Sequence, residues 1–176
     1  INEALELIHL PKYACFKQEI AEIISYLLSR LDIKTTPIGA EIIPGLELYG
    51  CYTREEVFTL VGRQTAEVKM QGTASGAFNL PEHNAVLLFV TLNKSEKDFS
   101  PSTQYNDYLI NDEYFHWQSK NTDSHYNSGG RKYIEQPKTG IKIILFVREE
   151  KKDGFGNTSP FHCFGLVDYV SSHDDF

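Results

Sequence analysis

The apolar residues between positions 12 and 31 recur at helical spacing. Phe16, Ile20, Ile23, Ile24, Leu27, Leu28 and Leu31 fall on one face, as an amphipathic helix requires. Pro11 suits the start of that helix and Asp32 its end. Ahead of Pro11, the pattern Ala4, Leu5, Leu7, Ile8 predicts one more short helix. The stretch KTTPIGAEIIPGLELYG, punctuated by Pro and Gly, reads as loop with one short strand near Ile42. Thr53-Arg54-Glu55-Glu56 then has the form of a capping box. The Thr53 hydroxyl can accept from the Glu56 backbone N–H, and the Glu56 carboxylate can accept from the Thr53 N–H. A short helix through Val57, Leu60 and Val61 should follow and stop at Gly62.

Beyond Gly62 the pattern shifts to strands. AVLLFVTL (85–92) is apolar at every position but one, as in a central strand covered on both faces. EYFHWQSK (113–120) alternates. In a strand at 113–119, Tyr114, His116 and Gln118 share one face, and Phe115, Trp117 and Ser119 the other. IKIILFV (141–147) is β-branched and apolar, and FHCFGLVDYV (161–170) is its expected partner across the long hairpin-like loop REEKKDGFGNTSP. Helices come early and strands late, without βαβ alternation. This order predicts an α+β fold, with a mostly antiparallel curved sheet or half-open small β-barrel and N-terminal helices. The expected division is a helical segment at 1–32 and a β-rich recognition domain at 33–176. No repeat or low-complexity segment interrupts it.

Composition adds little to the fold but limits the chemistry. The 176 residues are 41% hydrophobic and 23% charged, which suits a globular core and argues against wholesale disorder. No apolar run is long enough to cross a bilayer, so no membrane partner is expected. The chain begins at Ile1 without a Met or a signal-like region, as a fragment of a longer protein would. Cys15, Cys51 and Cys163 are far apart and form no C-x-x-C pair, which points to a reducing, cytoplasmic setting. The net charge of −7 argues against indiscriminate phosphate binding. The charge is uneven, however. Residues 129–152 hold seven basic side chains, among them Arg131, Lys142 and Arg148, against three acidic ones. That segment is +4, against −7 for the whole chain, and could turn one face toward a polyanion, although solvated loop charge accounts for it as readily.

Motifs for catalysis or cofactors are lacking. No two of the six His stand at i, i+4, and no zinc-ribbon spacing occurs. GTASG (72–76), GFG (154–156) and Gly129-Gly130 read as turns rather than phosphate loops. There is no G-x-S-x-G elbow and no H-E-x-x-H. No cofactor is expected. A small hydrolase using His116 with Asp107 or Cys51 remains an alternative that only geometry can test. The richest stretch is 89–119. It runs from a buried strand through a polar loop carrying Lys94, Ser100, Tyr105 and Asn106 into the aromatic segment around Trp117. If Phe115 and Trp117 face the core, His116 and Gln118 are presented outward on a rigid platform. There His can stack on a base and Gln can bond to an adenine edge.

Four runs carry a resemblance: LYGCYTREEV (48–57), FVTLNKSEKDFSPSTQYNDYLINDEYFHWQS (89–119), TGIKIILFVRE (139–149) and PFHCFGLVDYVS (160–171). Together they resemble a bacterial domain found C-terminal to superfamily-two helicase modules. That domain often accompanies a phospholipase-D-like nuclease, and it also occurs beside HNH-type nucleases in restriction-like defence proteins. The resemblance spans roughly residues 12–171. It departs at Lys120, where the family has Gln, and at Phe176, where a closing strand would continue. It implies a non-catalytic nucleic-acid recognition module, a reader of short or modified DNA, serving a helicase/nuclease module of the same or a partner chain. The positions it singles out are Tyr49, Thr53, Arg54, Lys94, Ser100, Tyr105, Asp107, His116, Gln118 and Ser119. A docking module that regulates the helicase is the third option.

Overall fold

The structure, a computed structural model, describes residues 14–29, 37–38, 43–65, 75–94 and 105–173. The chain divides into two compact units, Ile1–Lys34 and Thr35–Phe176. In the first unit the expected amphipathic helix is α1 (Ala14–Ser29), on which Phe16, Ile20, Ile23 and Tyr26 are exposed. The helix expected before Pro11 and the strand near Ile42 lie outside the described residues. No helix among the described residues is long and apolar enough to cross a membrane.

The second unit is built on β1 (Cys51–Tyr52), α2 (Arg54–Leu60), β2 (Ala77–Leu80), β3 (Ala85–Asn93), β4 (Tyr108–Leu109), β5 (Phe115–His116), α3 (Ser128–Ile134), α4 (Gln136–Thr139), β6 (Lys142–Glu150) and β7 (Phe161–Val167). Five strands form one sheet in the order β1-β7-β6-β3-β2, and β4 and β5 pair separately. Three of the four pairings in the larger sheet are antiparallel, as the sequence predicts, and the sheet is open rather than closed into a barrel. The central β3–β6 pairing is parallel, which the strand pattern does not reveal. Parallel neighbours need a long connection, and the chain between β3 and β6 carries the β4–β5 hairpin, α3 and α4.

The central strands are apolar on both sides because both sheet faces are covered. Ala85, Leu87 and Phe89 of β3 and Ile144 and Phe146 of β6 pack with Val57, Phe58 and Val61, and with Ile38, Ile43 and Leu46. The alternate residues, Val86, Leu88, Val90, Ile143, Leu145 and Val147, pack with Tyr133 on the other side, where Phe115 and Trp117 lean against them. On the first face five Phe rings interlock: Phe89 stacks on Phe146 at 4.9 Å and meets Phe161 and Phe58 at 5.2 and 5.9 Å, and Phe58 meets Phe78 at 4.9 Å. Each fully buried ring of this kind contributes about 1.5–3 kcal/mol by leaving water.

Two local devices shape the unit. The capping box is present: Thr53 Oγ1 accepts from the Glu56 N–H at 3.2 Å, and the Glu56 carboxylate accepts from the Thr53 N–H at 2.7 Å. The helix ends at Leu60, and Gly62 follows with φ 68°. Thr53→Ala is expected to lower stability by about 1 kcal/mol, read as a fall in the urea midpoint at constant slope, with Thr53→Ser near the parent. The second device corrects the turn expected at Gly129-Gly130. These glycines open α3, capped by the Asn127 side chain, which accepts from both of their N–H groups. A Cβ at Gly130 would stand 2.2 Å from the Ser124 carbonyl oxygen, and one at Gly129 would stand 2.2 Å from Asp123 Oδ1. Close passage of the loop, not the need for a turn, demands glycine here. That packing outweighs the poor helix propensity of Gly.

Candidate functional site

The β4–β5 hairpin carries the strongest cluster. Its register places Tyr108 opposite His116 and Leu109 opposite Phe115. The turn is held by the Asn111 carboxamide, whose oxygen accepts from the N–H groups of Glu113 and Tyr114 at 2.9 and 2.8 Å. The Tyr108 and His116 rings stack at 4.8 Å with 26° between planes. Phe115 and Trp117 turn the other way onto the core, with Trp117 edge-on to Tyr133 at 4.8 Å. The alternation read from the sequence is therefore present, but the expected strand at 113–119 is shorter. Only Phe115 and His116 are in ladder geometry. The reason is a carboxylate: the Gln118 N–H donates to Asp107 Oδ1 at 2.8 Å, not to a neighbouring strand.

Asp107 is the hub of this site. Its other oxygen, Oδ2, accepts from Lys94 Nζ at 2.6 Å, and the same ammonium donates to the Tyr105 carbonyl at 2.6 Å. The Lys94 and Asp107 side chains are only 8% and 4% exposed, so the pair is desolvated and tied to β3. Lys94 also lies 5.7 Å from the centre of the Tyr105 ring. Gln118 itself is exposed. Its Oε1 accepts from the Asn106 N–H at 2.9 Å. The buried clamp thus sets the position of Tyr105, Asn106 and Gln118 from below. Ser119 is half-buried beside them, and Ser100 lies outside the described residues. The hairpin's outer surface is unusually apolar: Tyr108, Leu109, Ile110 and Tyr114 are 45–58% exposed.

The remaining predicted positions do structural work or stand apart. Thr53 is the cap of α2. Arg54 is half-buried: its Nη1 donates to the Ser75 carbonyl at 3.0 Å, and its guanidinium lies 4.6 Å from the Phe89 ring centre and 5.5 Å from that of Phe161. Burial and the nearby Arg148 push its pKa down to about 10. The basic residues of 129–152 do not all reach solvent. Arg148 is 8% exposed, donates to Thr91 Oγ1 at 2.9 Å and to the Ser159 carbonyl at 3.1 Å, and sits 4.2 Å above Phe161. This corrects its expected place on an outward phosphate-contacting strip: it falls on the buried face of β6. Arg131 is exposed but paired with Glu135 at 2.6 Å, and Lys142 is half-buried at the start of β6. Tyr49, with φ 63°, is exposed and edge-on to Phe164 at 6.1 Å.

The catalytic alternative meets a different geometry. Asp107 is committed to Lys94 and to the Gln118 backbone, and the His116 ring rests on Tyr108. Cys51 is paired with His162, its partner across β1 and β7, at 3.3 Å from Sγ to Nδ1. Spacing in the sequence could not disclose that contact, since 111 residues separate the two. Among the described residues no group of three or more His, Cys, Asp or Glu is placed to hold a metal ion.

No curated protein and no solved structure matches the chain. A family does match, over residues 46–175, a span that contains the hairpin, its Lys94–Asp107 clamp and the whole five-stranded sheet. The chain belongs to the family described as Domain of unknown function (DUF3427).

Proposed function

We propose that this domain is a non-catalytic nucleic-acid recognition module that reads bases with the β4–β5 hairpin, within a larger cytoplasmic helicase/nuclease protein of the restriction or antiviral defence type. The observation that carries the reading is the stack of exposed Tyr108 on half-buried His116 beside the exposed carboxamide of Gln118, on a support fixed by Phe115, Trp117 and the buried Lys94–Asp107 pair. Aromatic and imidazole rings offer stacking surfaces for a splayed or flipped base, and a carboxamide can bond to a base edge. Rigid support matters because a ligand then meets groups already ordered. Phosphate positioning falls to exposed Arg131 and half-buried Lys142, while Arg148 and Arg54 hold the sheet. Base stacking also accommodates the net charge of −7, since it supplies affinity that a uniformly basic surface would otherwise provide.

The test is fluorescence anisotropy of the chain with unmodified and modified duplexes and single strands at two salt concentrations. Binding should appear at low salt and weaken as salt rises. His116→Ala and Gln118→Ala should each weaken it by about tenfold or more. Arg131→Glu should weaken all sequences alike. Retention of no nucleic acid at low salt overturns the reading, and salt-insensitive binding to a helicase module would replace it with docking.

A further inference from the structure

We propose that Cys51 and His162 form a reactive thiol–imidazole pair that exchanges with small zwitterionic disulfides, a modification site separate from the hairpin. The two residues are cross-strand partners in β1 and β7, so their side chains leave the sheet on the same side. Sγ lies 3.3 Å from Nδ1, and both residues are exposed. Backbone bonds on either side hold them in place: the Tyr49 N–H donates to the Cys163 carbonyl at 2.7 Å, and the Cys163 N–H donates to the Gly50 carbonyl at 2.9 Å. Tyr52 tightens the same corner by accepting from the Glu47 N–H at 2.9 Å.

His162 also lines an open cleft of about 260 Å³, shaped by the β6–β7 connection. Glu149, Glu150 and Asp153 line it with Arg148 and Lys152, so the cleft offers both signs of charge. A small molecule carrying both an ammonium and a carboxylate, with a disulfide between, suits that lining. Cys163, two residues along β7, is the internal contrast. It is fully buried, and burial pushes its thiol up to about 11, which leaves it inert at neutral pH.

In the step, His162 Nδ1 accepts the thiol proton as Cys51 Sγ attacks one sulfur of the disulfide. The S–S bond of the small molecule breaks and a Cys51–sulfur bond forms. The departing thiolate takes the proton from the imidazolium and leaves as a thiol. The small disulfide is the oxidant, and it is reduced at the departing sulfur.

The experiment incubates the full chain at neutral pH with glutathione disulfide and, in parallel, with the neutral 2-hydroxyethyl disulfide. Intact mass and peptide mapping assign each adduct among Cys15, Cys51 and Cys163. Cys51 should be modified ahead of Cys163 with both reagents, and about tenfold faster than in His162→Asn. His162→Gln serves as a second variant, and circular dichroism checks that each is folded. Lys152→Ala should slow the reaction with glutathione disulfide and leave that with the neutral reagent unchanged. No adduct at Cys51, or an unchanged rate in both folded His162 variants, overturns the pair. Equal slowing or no slowing of both reagents by Lys152→Ala overturns the zwitterionic preference.

Discussion

Asp107→Ala is expected to destabilise the β-rich unit by about 3–5 kcal/mol, because it leaves the Lys94 ammonium buried without its counter-charge. The side chain of Lys94 is 8% exposed, and the Tyr105 carbonyl, its other acceptor, does not neutralise it. The variant also frees the Gln118 N–H, so the segment after β5 loses the bond that stands in for a strand partner. Trp117 is the chain's single Trp and packs edge-on to Tyr133 next to that bond. Its emission should therefore shift to the red before global unfolding, and the urea midpoint should fall. A Lys94→Met/Asp107→Leu double variant should recover most of the stability, since removing both charges also removes their desolvation cost. It should not recover the hairpin's geometry, because no carboxylate then receives the Gln118 N–H. If the proposed function is right, the double variant is folded yet weak in binding. If Asp107→Ala changes stability by less than about 1 kcal/mol, the clamp is not the hub described above.

Phe161→Ala is expected to cost about 3–5 kcal/mol, the range for deleting a buried aromatic ring. Phe161 is 2% exposed and joins two systems. On one side it meets Phe89 at 5.2 Å. On the other, the Arg148 and Arg54 guanidiniums lie 4.2 and 5.5 Å from its ring centre. A cation over an aromatic face gains about 0.5–2 kcal/mol, more where water is excluded. Truncation therefore leaves a cavity and also removes the surface on which two cations rest. Phe161→Leu keeps most of the volume but not the π face. Denaturant unfolding of the two variants should thus separate packing from cation–π attraction. A Leu variant as unstable as the Ala variant would show that the guanidinium seats dominate.

Several elements could be read without coordinates because their cause is local. The α1 stripe follows from spacing alone, and the Thr53–Glu56 box is satisfied by residues three apart. Runs such as 85–92 and 141–147 announce buried strands, since no half-exposed strand tolerates so many apolar side chains. The two faces of the hairpin, Phe115 and Trp117 inward and His116 outward, follow from the two-residue period of extended chain. Arg148 misled for the converse reason. A cation in a basic run reads as solvated, but strand alternation carries it to the face where Phe161 and Thr91 receive it.

What the sequence determined by itself was thus the set of elements that a short window dictates: the capped helix, the covered strands, the β6–β7 hairpin and the sidedness of the aromatic segment. What only the tertiary structure decided was which distant residues meet. The parallel β3–β6 pairing, the Lys94–Asp107–Gln118 clamp and the Cys51–His162 contact each join segments whose neighbourhood no local period encodes. Periodicity follows from backbone geometry within a few residues. Partner choice follows from burying apolar area and matching buried charge over the whole chain, and that balance is settled only when the sheet assembles.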